Sequence, residues 1–389
     1  MKKFNLSSAA NRREFLKNLS LALGFTAAGI SLLSLNSCNS NKSSEKEQNR
    51  NAAGKNTGGK KLGIALLGLG KYSEGQLAPA LQETENCYLA GIVTGSPDKV
   101  DKWKRQYDIP DKNVYSYENF DQIKDNPDID IVYVVTPNAL HREYVVRAAR
   151  AKKHVICEKP MATTVEDCQT MIDACKQNNV QLSVGYRLHF EPHNQRVMEL
   201  GQKEVFGPVK TIKATNGFKI NVKPDDWRLN QQLAGGGPLM DVGIYCVQGV
   251  LYTLGRAPIA ITAKYGDKTR PDYFKTVEQS ISWQMQFEGG LIADCTSSYN
   301  AEAGLLYGEA QDGWWRLDPA YSYSGIKGET SRGKMEFEEV NQQARQMDDF
   351  ANCVRNNKPT SVPGEMGLRD VRILLAIYEA ARTNKKVGV

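Results

Sequence analysis

From residue 62 onward, apolar runs alternate with stretches of helical periodicity. "LGIALLG" leads into Gly68-Leu69-Gly70, and a helix-like stretch follows. "YLAGIVTG" ends at Thr94-Gly95-Ser96, ahead of the helical "SPDKVDKWKRQY". "DIDIVYVVTP" stops at Pro137; Asn138 is placed to cap the next helix, whose apolar positions are Tyr144, Val145, Ala148 and Ala149. "HVICEKP" precedes a helix apolar at Val165, Cys168, Ile172 and Cys175, and "VQLSVGY" closes the series. Strands apolar at successive positions are covered on both faces, and helices between them go with parallel pairing. The pattern predicts an α/β domain over 61–184 built on a doubly wound parallel sheet.

The rhythm changes after about residue 185. "KTIKATNGFKI", "QSISWQMQFE" and "GLIADCTSSYN" are longer and partly alternating, with fewer helices between them. They predict an α+β domain over 185–389 with a large, mostly antiparallel open sheet. Two helices stand out. "LAGGGPLMDVGIYCVQGVLYTLG" forms one after its glycine run and carries Asp241 and Tyr245 at i, i+4, on one face. "GLRDVRILLAIYEAARTNKK" is amphipathic and ends in basic residues.

Charge changes the picture only at the N-terminus. Of the 50 basic and 44 acidic residues, ten and three lie in 1–60, which leaves 40 against 41 in the rest. The globular part is therefore neutral and exerts no pull on nucleic acid. Within 1–37, "NRREFLK" resembles a twin-arginine export signal with Asn11 at an unusual position, and a weakly apolar run over 19–35 follows. "LNSC" resembles a lipobox, which would make Cys38 an acylated lipid anchor, although Asn36 is atypical there. An uncleaved membrane anchor is the alternative. Residues 38–60 read as a flexible tether. The expected location is periplasmic.

The eight cysteines include no C-x-x-C, and Cys87, Cys157, Cys246 and Cys295 sit in apolar runs as small buried hydrophobes. Of four histidines, His189 and His193 are spaced i, i+4, but Pro192 lies between them and no third ligand is evident, so no metal site is expected.

Candidate chemistry gathers at the carboxyl ends of the parallel strands, where ligands of such sheets bind. Gly68 and Gly70 allow a tight turn and close approach of backbone to a pyrophosphate. Ser73 replaces the usual third small residue. Thr94, Ser96 and Lys99 stand where an NAD site would carry an acid; hydroxyls plus a cation suit a 2′-phosphate, hence NADP, although Ser96 could instead cap its helix. Glu158 and Lys159 end a buried strand, where charge is costly unless used. Asp241 and Tyr245 form either a proton-handling pair or a structural tyrosine with a dipole-stabilised carboxylate.

"GLGKYS", "TPNALH", "CEKPMAT", "GYR", "WRL", "LAGGGPLMDVGIY" and "IYEAAR" together resemble the glucose–fructose oxidoreductase and inositol dehydrogenase (Gfo/Idh/MocA) family over 62 to about 385. The resemblance implies a Rossmann domain joined to an open-sheet α/β domain. Its catalytic set would be Lys159, Asp241 and Tyr245, the tyrosine marking the sugar-oxidoreductase branch. Cofactor contacts would come from Gly68, Gly70, Lys71, Tyr72, Thr94, Ser96, Lys99, Pro137, Asn138, His141, Glu158 and Lys159. Arg187, Trp227 and Arg228 would line cofactor or sugar, the guanidinium groups suiting phosphate. Tyr245 would take a proton from the anomeric hydroxyl of an aldose as hydride moves to tightly held NADP, and a second sugar could be reduced in turn. A phenol needs a nearby cation to act as a base, which Lys159 would supply. The resemblance also implies a homo-oligomer, dimer or tetramer. The alternative within the same family is a glycosidase using transient oxidation by NAD(P), but such relatives typically lack the tyrosine of "GIY". A protein that holds cofactor without catalysis is a third reading, against which the intact Lys159/Asp241/Tyr245 set argues.

Overall fold

A computed structural model describes residues 59–389; the expected signal over 1–37, Cys38 and most of the tether lie outside the described residues. The first sheet is built from β1 (Leu62–Leu67), β2 (Cys87–Val93), β3 (Val114–Tyr115), β4 (Ile131–Val134), β5 (His154–Cys157) and β6 (Leu182–Val184). All neighbours pair parallel, in the order β3-β2-β1-β4-β5-β6. That is the doubly wound order of dinucleotide-binding folds. Helices α1 (Pro97–Tyr107), α2 (His141–Arg150) and α3 (Val165–Gln177) fall where periodicity places them. Two expected caps do not form. Ser96 and Asn138 make no side-chain capping bond; the Asn138 amide instead donates to the Ala234 carbonyl at 2.8 Å.

A π-turn, Ser73–Leu77, widens the helix after Gly70. Helix α4 (Pro192–Gln202) leads into the second sheet, whose strands are β7 (Val209–Gly217), β8 (Ala260–Tyr265), β9 (Ser280–Gln286), β10 (Ile292–Ser298), β11 (Ala303–Ala310), β12 (Gly313–Leu317), β13 (Gly328–Thr330), β14 (Gly333–Met335) and β15 (Val387–Gly388). Their order is β14-β13-β12-β11-β7-β10-β9-β8-β15, and only the β7–β10 pair is parallel. One face, with Ile212, Ala214, Ile281, Trp283, Met285 and Cys295, is buried against α5 (Ile244–Leu254) and α7 (Gly364–Thr383). The other carries Lys213, Gln284, Asp294 and Arg316 into solvent, so the sheet is open on that side.

Alternation along the first sheet splits its side chains between two cores. Ala65, Leu67, Val132, Val134 and Val155 join a cluster continuous with the second sheet. Ile64, Leu66, Ile131, Tyr133 and Ile156 pack instead against Ala344, Met347, Phe350 and Ala351 of α6 (Gln342–Arg355), a helix the sequence pattern did not announce. The second half of the chain thus supplies a cover for the first sheet. The seven cysteines among the described residues are buried and unpaired, and no metal-binding cluster occurs among those residues. Nor is any described helix long and apolar enough to cross a membrane.

Candidate active site

The carboxyl ends of the six parallel strands converge on one edge. After β1, Gly68 holds φ +100°, and a Cβ there would sit 2.6 Å from the Val135 carbonyl oxygen. A Cβ on Gly70 would meet nothing within 4 Å, so the backbone there faces open space. Ser73, at the place of the usual third small residue, is buried and donates to the Gly68 carbonyl at 2.6 Å, pinning the turn. After β2, the Ser96 amide donates to Thr94 Oγ1 at 3.0 Å, and Lys99 reaches back to the Leu69 carbonyl at 2.7 Å. A cation thus bridges the two loops, and Lys71 stands exposed beside them. A glycine turn opening onto a helix N-terminus, with hydroxyls and ammonium groups at the next strand end, fits a dinucleotide and its 2′-phosphate.

At the end of β5 the Lys159–Pro160 peptide is cis. The Lys159 side chain crosses to the helical segment that opens α5. Its Nζ donates to the Asp241 carbonyl at 2.6 Å, lies 3.5 Å from Asp241 Oδ1, and sits 4.7 Å from the centre of the Tyr245 ring. The three residues expected to act together therefore meet. Burial opposes the charge on Lys159, but the Tyr245 oxygen and the Asp241 and Glu158 carboxylates outweigh it and hold its pKa above the ordinary lysine value. Burial likewise works against the Asp241 carboxylate, yet Lys159 and Arg228 keep its pKa below the usual range. The site holds a cation in contact with a carboxylate, the cation lying over the ring of a phenol.

Four of the expected contacts have their polar groups engaged within the chain. His141 is fully buried: its Nε2 lies 2.9 Å from the Thr136 carbonyl and its Nδ1 3.1 and 3.2 Å from those of Pro160 and Met161. It fastens the end of β4 to the Lys159–Pro160 turn. Arg187, 2% exposed, has no reach toward a phosphate, because its guanidinium donates to the Ser322 and Tyr321 carbonyls and to Gln342. It stacks 5.0 Å from the Tyr245 ring and 4.4 Å from that of Tyr323, so it is a second cation beside the phenol. Arg228 faces carboxylates, Asp226 at 3.5 Å and Asp241 at 3.8 Å, and stacks on Trp227. Glu158 turns inward, accepting from the Tyr133 hydroxyl at 2.7 Å, and burial raises its pKa. Pro137 and Asn138 line the end of β4, Asn138 tied across to Ala234.

The structure adds three tyrosines that sequence reasoning passed over, Tyr299, Tyr321 and Tyr323. Tyr321 stacks 6.1 Å from Tyr245, and the half-buried Tyr72 lies 6.0 Å from Tyr323. Tyr323 itself remains 45% exposed. Tyr299 donates to Asp241 Oδ2 at 2.9 Å. The "YSY" of 321–323 was a signal in plain view, but it lies between irregular segments with no period to place it. A cavity of about 980 Å³ lies elsewhere, lined by Gly235, Tyr265, Glu278, Tyr378 and Arg382. Its polar walls bond to one another, Lys268 to the Phe274 carbonyl and Tyr378 to Glu278, so it shows no group set aside for chemistry.

A dinucleotide cradle with a lysine at the end of one of its own strands, met by a carboxylate and a phenol from the helix that packs on the second sheet, defines a two-domain nucleotide-dependent oxidoreductase. The chain belongs to the Gfo/Idh/MocA oxidoreductase family. Residues 62–186 match its NAD-binding Rossmann fold, 194–326 its GFO/IDH/MocA C-terminal domain, and 318–389 its C-terminal alpha/beta domain. The aldose-aldose oxidoreductase of Caulobacter crescentus, solved with glycerol, is 42% identical, covering 85% of this chain and all of its own, with a TM-score of 0.82. The NADP-dependent D-xylose 1-dehydrogenase of Haloarcula marismortui is 28% identical over 328 residues, 82% of this chain and 91% of its own. A levoglucosan dehydrogenase solved with NADH and levoglucosan shares the fold at 20% identity and a TM-score of 0.72, over 85% of this chain and all of its own.

Proposed function

We propose that this protein is an exported, NADP-dependent sugar oxidoreductase. It moves hydride between the anomeric carbon of an aldose and a tightly held NADP, and a second sugar then takes the hydride back. The observation that carries the reading is the meeting of Lys159, Asp241 and Tyr245 at the strand ends beside the glycine turn. The aldose-aldose and xylose relatives support an aldose as substrate, and the latter supports NADP.

Bound in this cradle, the nicotinamide supplies the hydride acceptor. The chain's own groups do the rest. As the C1–H bond breaks, the C1 hydroxyl gives its proton to the Tyr245 oxygen. Negative charge on that oxygen is stabilised by Lys159 and Arg187, 4.7 and 5.0 Å from the ring. Asp241 accepts a hydrogen bond from a sugar hydroxyl and fixes the ring for transfer. Lys71, Ser96 and Lys99 would hold the 2′-phosphate.

The twin-arginine motif and "LNSC" support export to the periplasm and a lipid anchor at Cys38, and a homo-oligomer follows the family pattern. Purification without added cofactor tests the core of the reading. The spectrum should show bound nicotinamide, bleached by one sugar of a panel and restored by another. Release of sugar from a chromogenic glycoside with no net change in the nicotinamide would favour the glycosidase reading. Retention of the protein in the cytoplasm regardless of Arg12 and Arg13 would remove the export assignment.

A further inference from the structure

Asp241 is held from three sides, and the donor of best geometry belongs to none of the expected site residues. The Tyr299 hydroxyl donates to Asp241 Oδ2 at 2.9 Å, whereas Arg228 Nε lies 3.8 Å from the same oxygen and Lys159 Nζ 3.5 Å from the other. Only the Tyr299 contact has true hydrogen-bond length. Tyr299 is 1% exposed and follows directly on β10. Its amide donates to the Gln279 carbonyl, and its carbonyl accepts from Ile220. Its ring lies 6.3 Å from Phe274, stacked, and 5.3 Å from Phe218, edge-on. With Ile220, Leu229 and Val277 these rings form a small core of their own, under the segment that carries Trp227 and Arg228. Ring and backbone are both immobilised, so the hydroxyl is aimed.

We infer that Tyr299 is a positioning residue for the sugar-oxidation step: its hydroxyl sets the orientation of the Asp241 carboxylate toward the sugar. The inference rests on the function proposed above. A carboxylate with one oxygen engaged by a rigid donor presents its remaining lone pairs in a fixed direction. Without that donor it turns toward the two cations, Lys159 and Arg228, and the sugar hydroxyl loses its acceptor. Burial and the Asp241 charge hold the Tyr299 pKa well above the ordinary tyrosine value, so it stays a donor through the working range of pH.

A double-mutant cycle tests this on the holoenzyme purified with its own cofactor, with rates read as sugar-dependent nicotinamide reduction. Tyr299→Phe keeps the ring packing and removes only the donor. It should lower kcat roughly tenfold to a hundredfold, the worth of a hydrogen bond to a charged group, with cofactor content unchanged and KM within about threefold. In an Asp241→Asn background the same change should cost less than about twofold, because the partner charge is gone. Phe287→Leu, a buried change at the opposite end of the β9–β10 hairpin from Tyr299, should lower the melting temperature yet leave kcat within about twofold. Equal losses in both backgrounds, wild-type kcat in Tyr299→Phe, or a Phe287→Leu variant as slow as Tyr299→Phe each overturn the inference. Wild-type turnover in Asp241→Asn alone overturns the assignment of the site itself. If phenylalanine is not accommodated, a ring-fluorinated tyrosine at 299 keeps the shape and strengthens the donor. An unchanged kcat there is again refuting.

Discussion

Replacing Lys159 with alanine removes the cation that links the two halves of the site. Its ammonium stands 4.7 Å from the Tyr245 ring, and its side chain is only 13% exposed. Taking that separation as the distance to the negative charge that the Tyr245 oxygen carries before it accepts the sugar proton, and an effective dielectric constant of about 20 for a partly buried pair, Coulomb's law gives about 3.5 kcal/mol. At 1.36 kcal/mol per decade, the rate should fall by roughly two to three decades. Arg187, 5.0 Å from the same ring, remains in the variant, which is why activity falls rather than vanishing. The cofactor cradle is formed by Gly68, Thr94, Ser96 and Lys99, so bound NADP should stay near one per chain. The assay is single-turnover reduction of the bound nicotinamide after mixing with saturating sugar, beside the cofactor content and melting temperature of each preparation. Wild-type hydride transfer in a folded, cofactor-loaded Lys159→Ala protein would falsify the electrostatic role.

Three further outcomes follow from particular contacts. Gly68→Ala forces a side chain into a positive-φ position 2.6 Å from the Val135 carbonyl, and should destabilise the fold by about 1–3 kcal/mol and abolish cofactor retention; Gly70→Ala, with nothing within 4 Å, should leave the melting temperature intact and weaken only the cofactor. Lys99→Ala should lower preference for NADP over NAD by roughly tenfold or more, read from competitive loading of apoprotein, while an unchanged ratio would remove Lys99 from the 2′-phosphate site. Asp241 has its pKa depressed by Lys159 and Arg228 against burial, so it contributes stability above the unfolded carboxyl value of about 3.9, and that contribution is lost as pH falls through the lower, folded value. Melting temperatures from pH 7 down to 3 should therefore decline less steeply in Asp241→Asn than in wild type.

The first sheet was legible because each of its main strands is apolar at successive positions and each glycine or proline break is sharp. The meeting of Lys159 with Asp241 and Tyr245 was legible only through the family resemblance, since 82 positions separate Lys159 from Asp241 in the chain. What stayed hidden has physical causes. Strands β13 and β14 are three residues long, too short to show alternation. Helix α6 opens with Gln342, Gln343 and Gln346, which read as a solvated face. Yet all three are buried, their amides donating to the Ser322 carbonyl, Gln76 and the Tyr133 hydroxyl. Arg187 looked like a phosphate ligand by residue type, but its guanidinium is held by the carbonyls of 321–322 and lies 5.0 Å from the Tyr245 ring. His141 matched a motif whose geometry makes it a brace.

The position of α6 also bears on how the chain comes into being. Ile64, Leu66, Ile131 and Ile156 emerge early in synthesis, but a helix that helps to shield them lies about 190 to 280 residues later, at Gln342–Arg355. Until nearly the whole chain has left the ribosome, that sheet face has only the partial cover its own half supplies through Leu77, Leu81 and Trp103. A nascent or truncated chain ending before α6 should be a substrate for chaperones and prone to aggregate, whereas the finished one buries that face with its own final third.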